Sequence, residues 1–121
     1  MRNISFALTT PQFVAGTKDV TRRLGWVNLK PGTRLMGCRK CMGLKPGESL
    51  ERLRPIEVVS VTREPLEAIG TYAADCRREG FPDLTAEGFV AMFCRHMKCL
   101  PETVVTRIEF KHLWNEGVEV G

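Results

Sequence analysis

The side chains best able to do chemistry crowd into one octapeptide, Gly16-Thr17-Lys18-Asp19-Val20-Thr21-Arg22-Arg23. In an extended segment, residues an even number apart share a face, so Thr21 and Arg23 point together. Lys18 joins them if the chain turns near Asp19. Such a group suits a phosphate or a carbonyl oxygen, with Arg23 as a planar fork and Lys18 as a mobile point charge. Crowding by Arg22 and Arg23, with partial desolvation, would lower the lysine pKa and let Lys18 act as base toward the Thr21 hydroxyl. Trp26 follows closely and would stack a base beside this segment, or else enter the core. The competing reading is a solvated basic turn, with Thr21 capping backbone groups and Arg23 paired to a carboxylate.

The cysteines form a second group. Cys38, Cys41, Cys76, Cys94 and Cys99 are odd in number, which excludes complete disulfide pairing within one chain. Cys38-Arg39-Lys40-Cys41 has the gap of a zinc knuckle, and Cys94 to Cys99 supplies two more thiols and His96. Four sulfurs at Cys38, Cys41, Cys94 and Cys99, or three with His96, would close a structural zinc site if the two segments met. Ordinary semi-buried thiols and no cofactor are the expectation, because the second gap is too long for a zinc ribbon. The zinc-deaminase pattern, H-x-E with P-C-x-x-C, does not occur. His112 reads as a surface or packing residue.

The elements that must position these residues are short. Ile4 to Leu8 reads as an opening strand. Thr10 offers an N-cap hydroxyl, Pro11 suits the first helical position and Gly16 a left-handed end, which brackets a short helix. Lys30-Pro31-Gly32 and Lys45-Pro46-Gly47 suit type II turns. Ile56 to Val61 is a β-branched core strand. Leu66, Ile69, Ala73 and Cys76 recur at helical spacing up to Gly80, with Gly70 as a possible break. Thr85 caps a helix whose Phe89, Val90, Phe93 and Met97 share a face. Val104, Thr106, Ile108 and Phe110 alternate with Val105, Arg107, Glu109 and Lys111 in a closing strand. The order β-α-β-β-β-α-α-β is α+β, and many short strands with few helices suggest a small barrel. No Gly-rich turn follows the first strand, which excludes a Rossmann pattern.

Composition sets the outer bounds. The chain has 121 residues, with 43% apolar and 26% charged residues, a formal charge of +4 and a pI near 9.0. That is the balance of one globular domain over residues 1–121, and it excludes a disordered or collagenous chain. No apolar run approaches a membrane span, and the N-terminus lacks a signal-peptide core, so no membrane partner and a cytoplasmic location are expected. The clustered cations favour an anionic or nucleotide-like ligand.

The spacing G-x-K-x-x-T-x-R at Gly16, Lys18, Thr21 and Arg23 resembles the signature of ASCH domains, which are small PUA-like β-barrels. The resemblance extends through Leu29 to Leu35, Ile56-Glu57-Val58 and Ile108-Glu109-Phe110, and so covers most of the chain. It implies a small PUA-like mixed β-barrel with flanking short helices, whose cleft binds RNA or a modified nucleoside. One branch of the family hydrolyses N(4)-acetylcytidine to cytidine and acetate with a lysine, a threonine and a glutamate. By that resemblance Thr21 is the nucleophile, Lys18 its activator and Glu79, in Arg78-Glu79-Gly80-Phe81, the proton donor to the leaving amine. Arg23 matches the supporting arginine, with Gly16, Arg22 and Trp26 beside the substrate. The stretch from Cys38 to Arg54 is longer than in the smallest amidohydrolases and lies where substrate selection would differ. Two other functions fit the same residues: a non-catalytic RNA-binding module whose cations only grip phosphate, and an ASCH-type ribonuclease in which Lys18 and Arg23 stabilise a phosphorane.

Overall fold

A computed structural model describes residues 1–114. Five strands, β1 (Arg2–Ser5), β2 (Val20–Arg23), β3 (Arg34–Cys38), β4 (Arg52–Pro65) and β5 (Val104–His112), form one mixed sheet in the order β1-β3-β4-β5-β2. The β1–β3 pair is parallel and the rest are antiparallel. The helices are α1 (Thr10–Ala15), α2 (Asp75–Arg78) and α3 (Ala86–Met97), with 3-10 turns at Ala7–Thr9 and Leu66–Thr71. The succession of strands and α-helices is the one expected from the sequence. No helix among the described residues is long and apolar enough to cross a membrane.

The sheet curls into a half-barrel. Its concave side holds Ile4, Phe6, Phe13, Leu35, Ile56, Val58, Ile108 and Phe110 in one cluster. A second cluster, Leu66, Ile69, Phe89, Phe93 and Val105, packs the 3-10 turn and α3 against β5. The edge strands β1 and β2 are not paired to each other. Instead the Arg23 guanidinium spans the gap, donating from Nη2 to the Ser5 carbonyl at 2.7 Å.

Several local expectations are corrected. The opening strand stops at Ser5, because Phe6 turns inward to stack on Phe13 at 4.2 Å while Leu8 stays outside. Thr10 does not cap α1. It lies inside the first turn, and its hydroxyl donates to the Phe6 carbonyl at 2.8 Å. Gly16 does end the helix, at φ 81°. After Pro65 the chain forms a 3-10 turn and a separate short α2, the division at Gly70 that the sequence allowed, and Thr85 caps α3 as expected, accepting from the Gly88 amide at 3.0 Å.

Alternation fails in two strands, for physical reasons. In β4 the register against β5 skips Val59, which leaves that residue exposed. The bulge returns Val61 to the concave cluster beside Val58, which strict alternation would forbid. In β5, Thr106, Ile108 and Phe110 are buried as expected, but Val104 is exposed. Val105 and Arg107 are buried on the other face because the helical layer covers it.

Candidate functional site

Lys18 owes its position to the exit from α1. The Thr17 and Lys18 amides both donate to the Gln12 carbonyl, at 3.0 and 3.3 Å, and the Asp19 amide donates to Arg78 at 2.9 Å. His112 clamps the same turn from β5. Its Nε2 donates to the Lys18 carbonyl at 2.8 Å, and its Nδ1 accepts from Arg54 Nη1 at 2.9 Å. A carbonyl can only accept and a guanidinium can only donate, so the partners fix a neutral tautomer. Burial holds the His112 pKa below its usual value.

The turn sends the Lys18 side chain inward, to 2% exposure. Nζ donates to Glu79 Oε1 at 2.8 Å and to the Glu79 carbonyl at 2.7 Å. Burial lowers the Lys18 pKa; Glu79 opposes that shift, and Arg23 and Arg22 add to it. Glu79, at the end of α2, is therefore a buried carboxylate rather than a surface one. Its Oε2 takes a hydrogen bond from Arg22 Nη1 at 3.0 Å.

Arg22 and Arg107 are register partners on β2 and β5, an arrangement of like charges that would be unfavourable alone. Asp75 lies between them. It accepts from Arg22 Nη2 at 2.5 Å and from Arg107 Nε and Nη2 at 2.8 and 3.1 Å. Burial pushes the Asp75 pKa up, but the bonds from Arg107 and Arg22 outweigh it and hold the carboxyl below the usual range. The Tyr72 ring sits 4.3 Å from the Arg107 guanidinium carbon. Arg22 Nε is buried without a hydrogen-bond partner among the described residues.

Thr21 and Arg23 share the concave face, opposite Ile108 and Thr106 of β5. Arg23 Nε donates to Thr21 Oγ1 at 3.0 Å. Arg23 forms no ion pair with a carboxylate among the described residues, and burial lowers its pKa to about 10, against the opposing influence of Glu79 and Cys41. These groups open onto a hollow of about 420 Å³, in the range of small-ligand sites. Its lining combines the charged Lys18, Arg22, Arg23 and Glu79 and the Thr21 hydroxyl with the apolar Phe6, Phe81, Phe89, Met92 and Phe93, and the Arg23 guanidinium lies 5.1 Å from the Phe6 ring centroid. Apolar walls beside such groups strengthen the interactions between their charges.

Five of the residues singled out in the sequence thus meet at one hollow: Lys18, Thr21, Arg22, Arg23 and Glu79. Gly16 does not line it; it ends α1 and lies against the Trp114 ring. Trp26 does not line it either. It adopts a positive φ of 60°, packs on the concave cluster and is covered by the Arg2 guanidinium at 4.2 Å. The aromatic surface comes instead from phenylalanines of both clusters. Asp75 and Arg107, the support beneath Glu79, escaped the sequence reading. One signal for Asp75 was present: it stands four residues before Glu79, on the same helical face.

The four-cysteine zinc site is not assembled. No group of three or more His, Cys, Asp or Glu gathers among the described residues. Cys38 ends β3, where its Sγ donates to the Met36 carbonyl at 3.4 Å, whereas Cys94 and Cys99 line a separate groove with Val90 and Leu100.

No protein-family model matches the chain, and no curated protein matches it. The fold is similar to that of the crystal structure of protein EF3133 from Enterococcus faecalis, described as family-model DUF984. The TM-score is 0.50 at 16% identity, over 87% of this chain and 68% of that one. At that identity the likeness concerns the fold.

Proposed function

We propose that the chain is an ASCH-type, PUA-like domain whose hollow binds a modified nucleoside, free or within RNA, and hydrolyses the exocyclic amide of an acylated cytidine. The observation that carries this reading is the convergence of Lys18, Thr21, Arg23 and Glu79 on one cavity with an apolar wall. A flat base fits against the phenylalanines, while the acyl carbonyl faces the cations.

Thr21 Oγ attacks the acyl carbon and forms a C–O bond, its proton passing to the Lys18 amine once the Lys18 ammonium has given a proton to Glu79. Lowering of the lysine pKa by burial supports that role. Arg23 Nε, already on Thr21 Oγ1, favours an oxygen that gains negative charge. The proton on Lys18 has a direct path to Glu79 Oε1, 2.8 Å away, and from there to the departing amine as the C–N bond breaks. Water then hydrolyses the threonyl ester and releases the acid.

The test is incubation with N(4)-acetylcytidine and chromatographic detection of cytidine. Thr21→Ala is expected to lower turnover at least about a hundredfold while substrate still binds. No cytidine above the buffer control would overturn the enzymatic reading. A second reading, a module that grips RNA phosphate, draws on the fact that both hydrogen bonds of Lys18 Nζ among the described residues end on Glu79, as for a fixed cation. It predicts no product and an RNA affinity that falls steeply with salt.

A further inference from the structure

Behind the hollow the charges balance. Lys18 and Arg22 share Glu79, Arg22 and Arg107 share Asp75, and Arg78 holds both Asp19 and Glu109, so four cations face four carboxylates. Passing a proton from Lys18 to Glu79 leaves that balance unchanged.

Arg23 stands outside it. It makes no ion pair with a carboxylate among the described residues, and its hydrogen bonds end on neutral acceptors. Nε donates to the Thr21 hydroxyl at 3.0 Å and Nη2 to the Ser5 carbonyl at 2.7 Å. A guanidinium carries five N–H donors in one plane, so both hydrogens of Nη1 and one of Nη2 find no acceptor among the described residues. Side by side, those two nitrogens form the fork that receives both oxygens of a carboxylate. Arg23 lines the hollow, where the remaining wall is largely apolar. A cation held beside such walls without a counter-charge is costly, and an anion entering the hollow relieves that cost.

We propose that the hollow is a binding site for an aromatic carboxylic acid in its anionic form. The carboxylate takes the Nη1–Nη2 edge of Arg23, and the ring lies against Phe81, Phe89, Met92 and Phe93. One negative charge matches the one unmatched cation, whereas a phosphate monoester, with up to two charges at neutral pH, would leave an excess. Binding of the acid does not depend on the hydrolase reading. If the hollow also cleaves an amide, the acid released carries the same head group, and an aromatic acid competes with the substrate. That consequence alone rests on the hydrolase reading.

The experiment is calorimetric titration of the whole chain with phenylacetate, its neutral isostere phenylacetamide, acetate and phenyl phosphate. Phenylacetate is expected to bind one to one. Phenylacetamide and acetate should each bind at least about tenfold more weakly, because the first lacks the charge and the second the apolar body. Phenyl phosphate should also bind more weakly than phenylacetate. Arg23→Gln is expected to weaken phenylacetate at least about tenfold, and Arg39→Gln, at a surface cation paired with Glu51, by less than about twofold. Circular dichroism of each variant checks folding, and the wild-type comparison of acid with amide stands without the variants. Phenylacetamide binding as tightly as phenylacetate, phenyl phosphate binding more tightly, a folded Arg23→Gln protein of wild-type affinity, or no saturable binding of phenylacetate at millimolar concentration would each overturn the proposal. Turnover of N(4)-acetylcytidine is read separately. Its absence beside phenylacetate binding sinks only the hydrolase reading, and its presence without phenylacetate binding sinks only the acid site.

Discussion

Replacing Glu79 by Gln tests the charge network beneath the hollow. The carboxylate accepts from Lys18 and Arg22 through different oxygens, and both cations are about 2% exposed. Gln keeps the shape and one acceptor but removes the charge, leaving Lys18 buried with only dipoles for company. Removing one member of a buried pair destabilises by about 3–5 kcal/mol, which for a domain of this size lowers Tm by on the order of 10–20 °C. The sign of the pH dependence follows from Lys18. Burial places its folded pKa below the usual 10.5, so the folded state is penalised while Lys18 is charged. The penalty fades as pH rises through the folded value toward the unfolded one. Loss of Glu79 deepens that depression, so the Tm gap between wild type and Glu79→Gln should narrow as pH rises above neutrality. In Lys18→Met/Glu79→Gln the orphaned charge is absent, and the double variant should be more stable than the sum of the single losses predicts. Thermal melts at several pH values measure all three quantities. A Glu79→Gln protein melting within a few degrees of wild type, with a pH-independent gap, would refute the reasoning.

Two further outcomes follow from packing and titration. His112 is held neutral, with its folded pKa below the ordinary 6.5, so its stabilising contribution is complete above that pH and is lost as pH falls through the folded value. Melts below pH 6.5 should therefore show an acid slope that His112→Gln flattens; an unchanged slope would assign the effect elsewhere. At Gly37 of β3, an added methyl would press on the Phe13 ring and lie 3.0 Å from the Arg54 carbonyl. Gly37→Ala should thus destabilise by about 1–3 kcal/mol in a denaturant titration.

What the sequence made legible depended on how local the cause was. The Gly16 helix end, the Gly32 and Gly47 turns with φ of 87° and the Thr85 cap each follow from one residue and its neighbours. The shared face of Thr21 and Arg23 follows from strand periodicity alone, and the two are hydrogen-bonded as a result. Non-local causes left weaker traces. Arg107 alternates like a surface residue, and only the helical layer packed over β5 makes it a buried partner of Asp75. Trp26 stands near the basic segment in sequence, yet its left-handed backbone turns it onto the core, under Arg2. The phenylalanines read as core are both core and cavity wall, because the hollow lies where the two clusters meet.

The gap between β1 and β2 shapes how such a site can open. Elsewhere neighbouring strands are joined by ladders of backbone bonds, and separating them means breaking many at once. Across this seam Arg23 holds a single carbonyl. Local opening breaks fewest backbone bonds at this seam, while the long β4–β5 ladder holds the back wall. One side chain serves as both latch and lining, so a guest that drew Arg23 away from Ser5 would also release the seam.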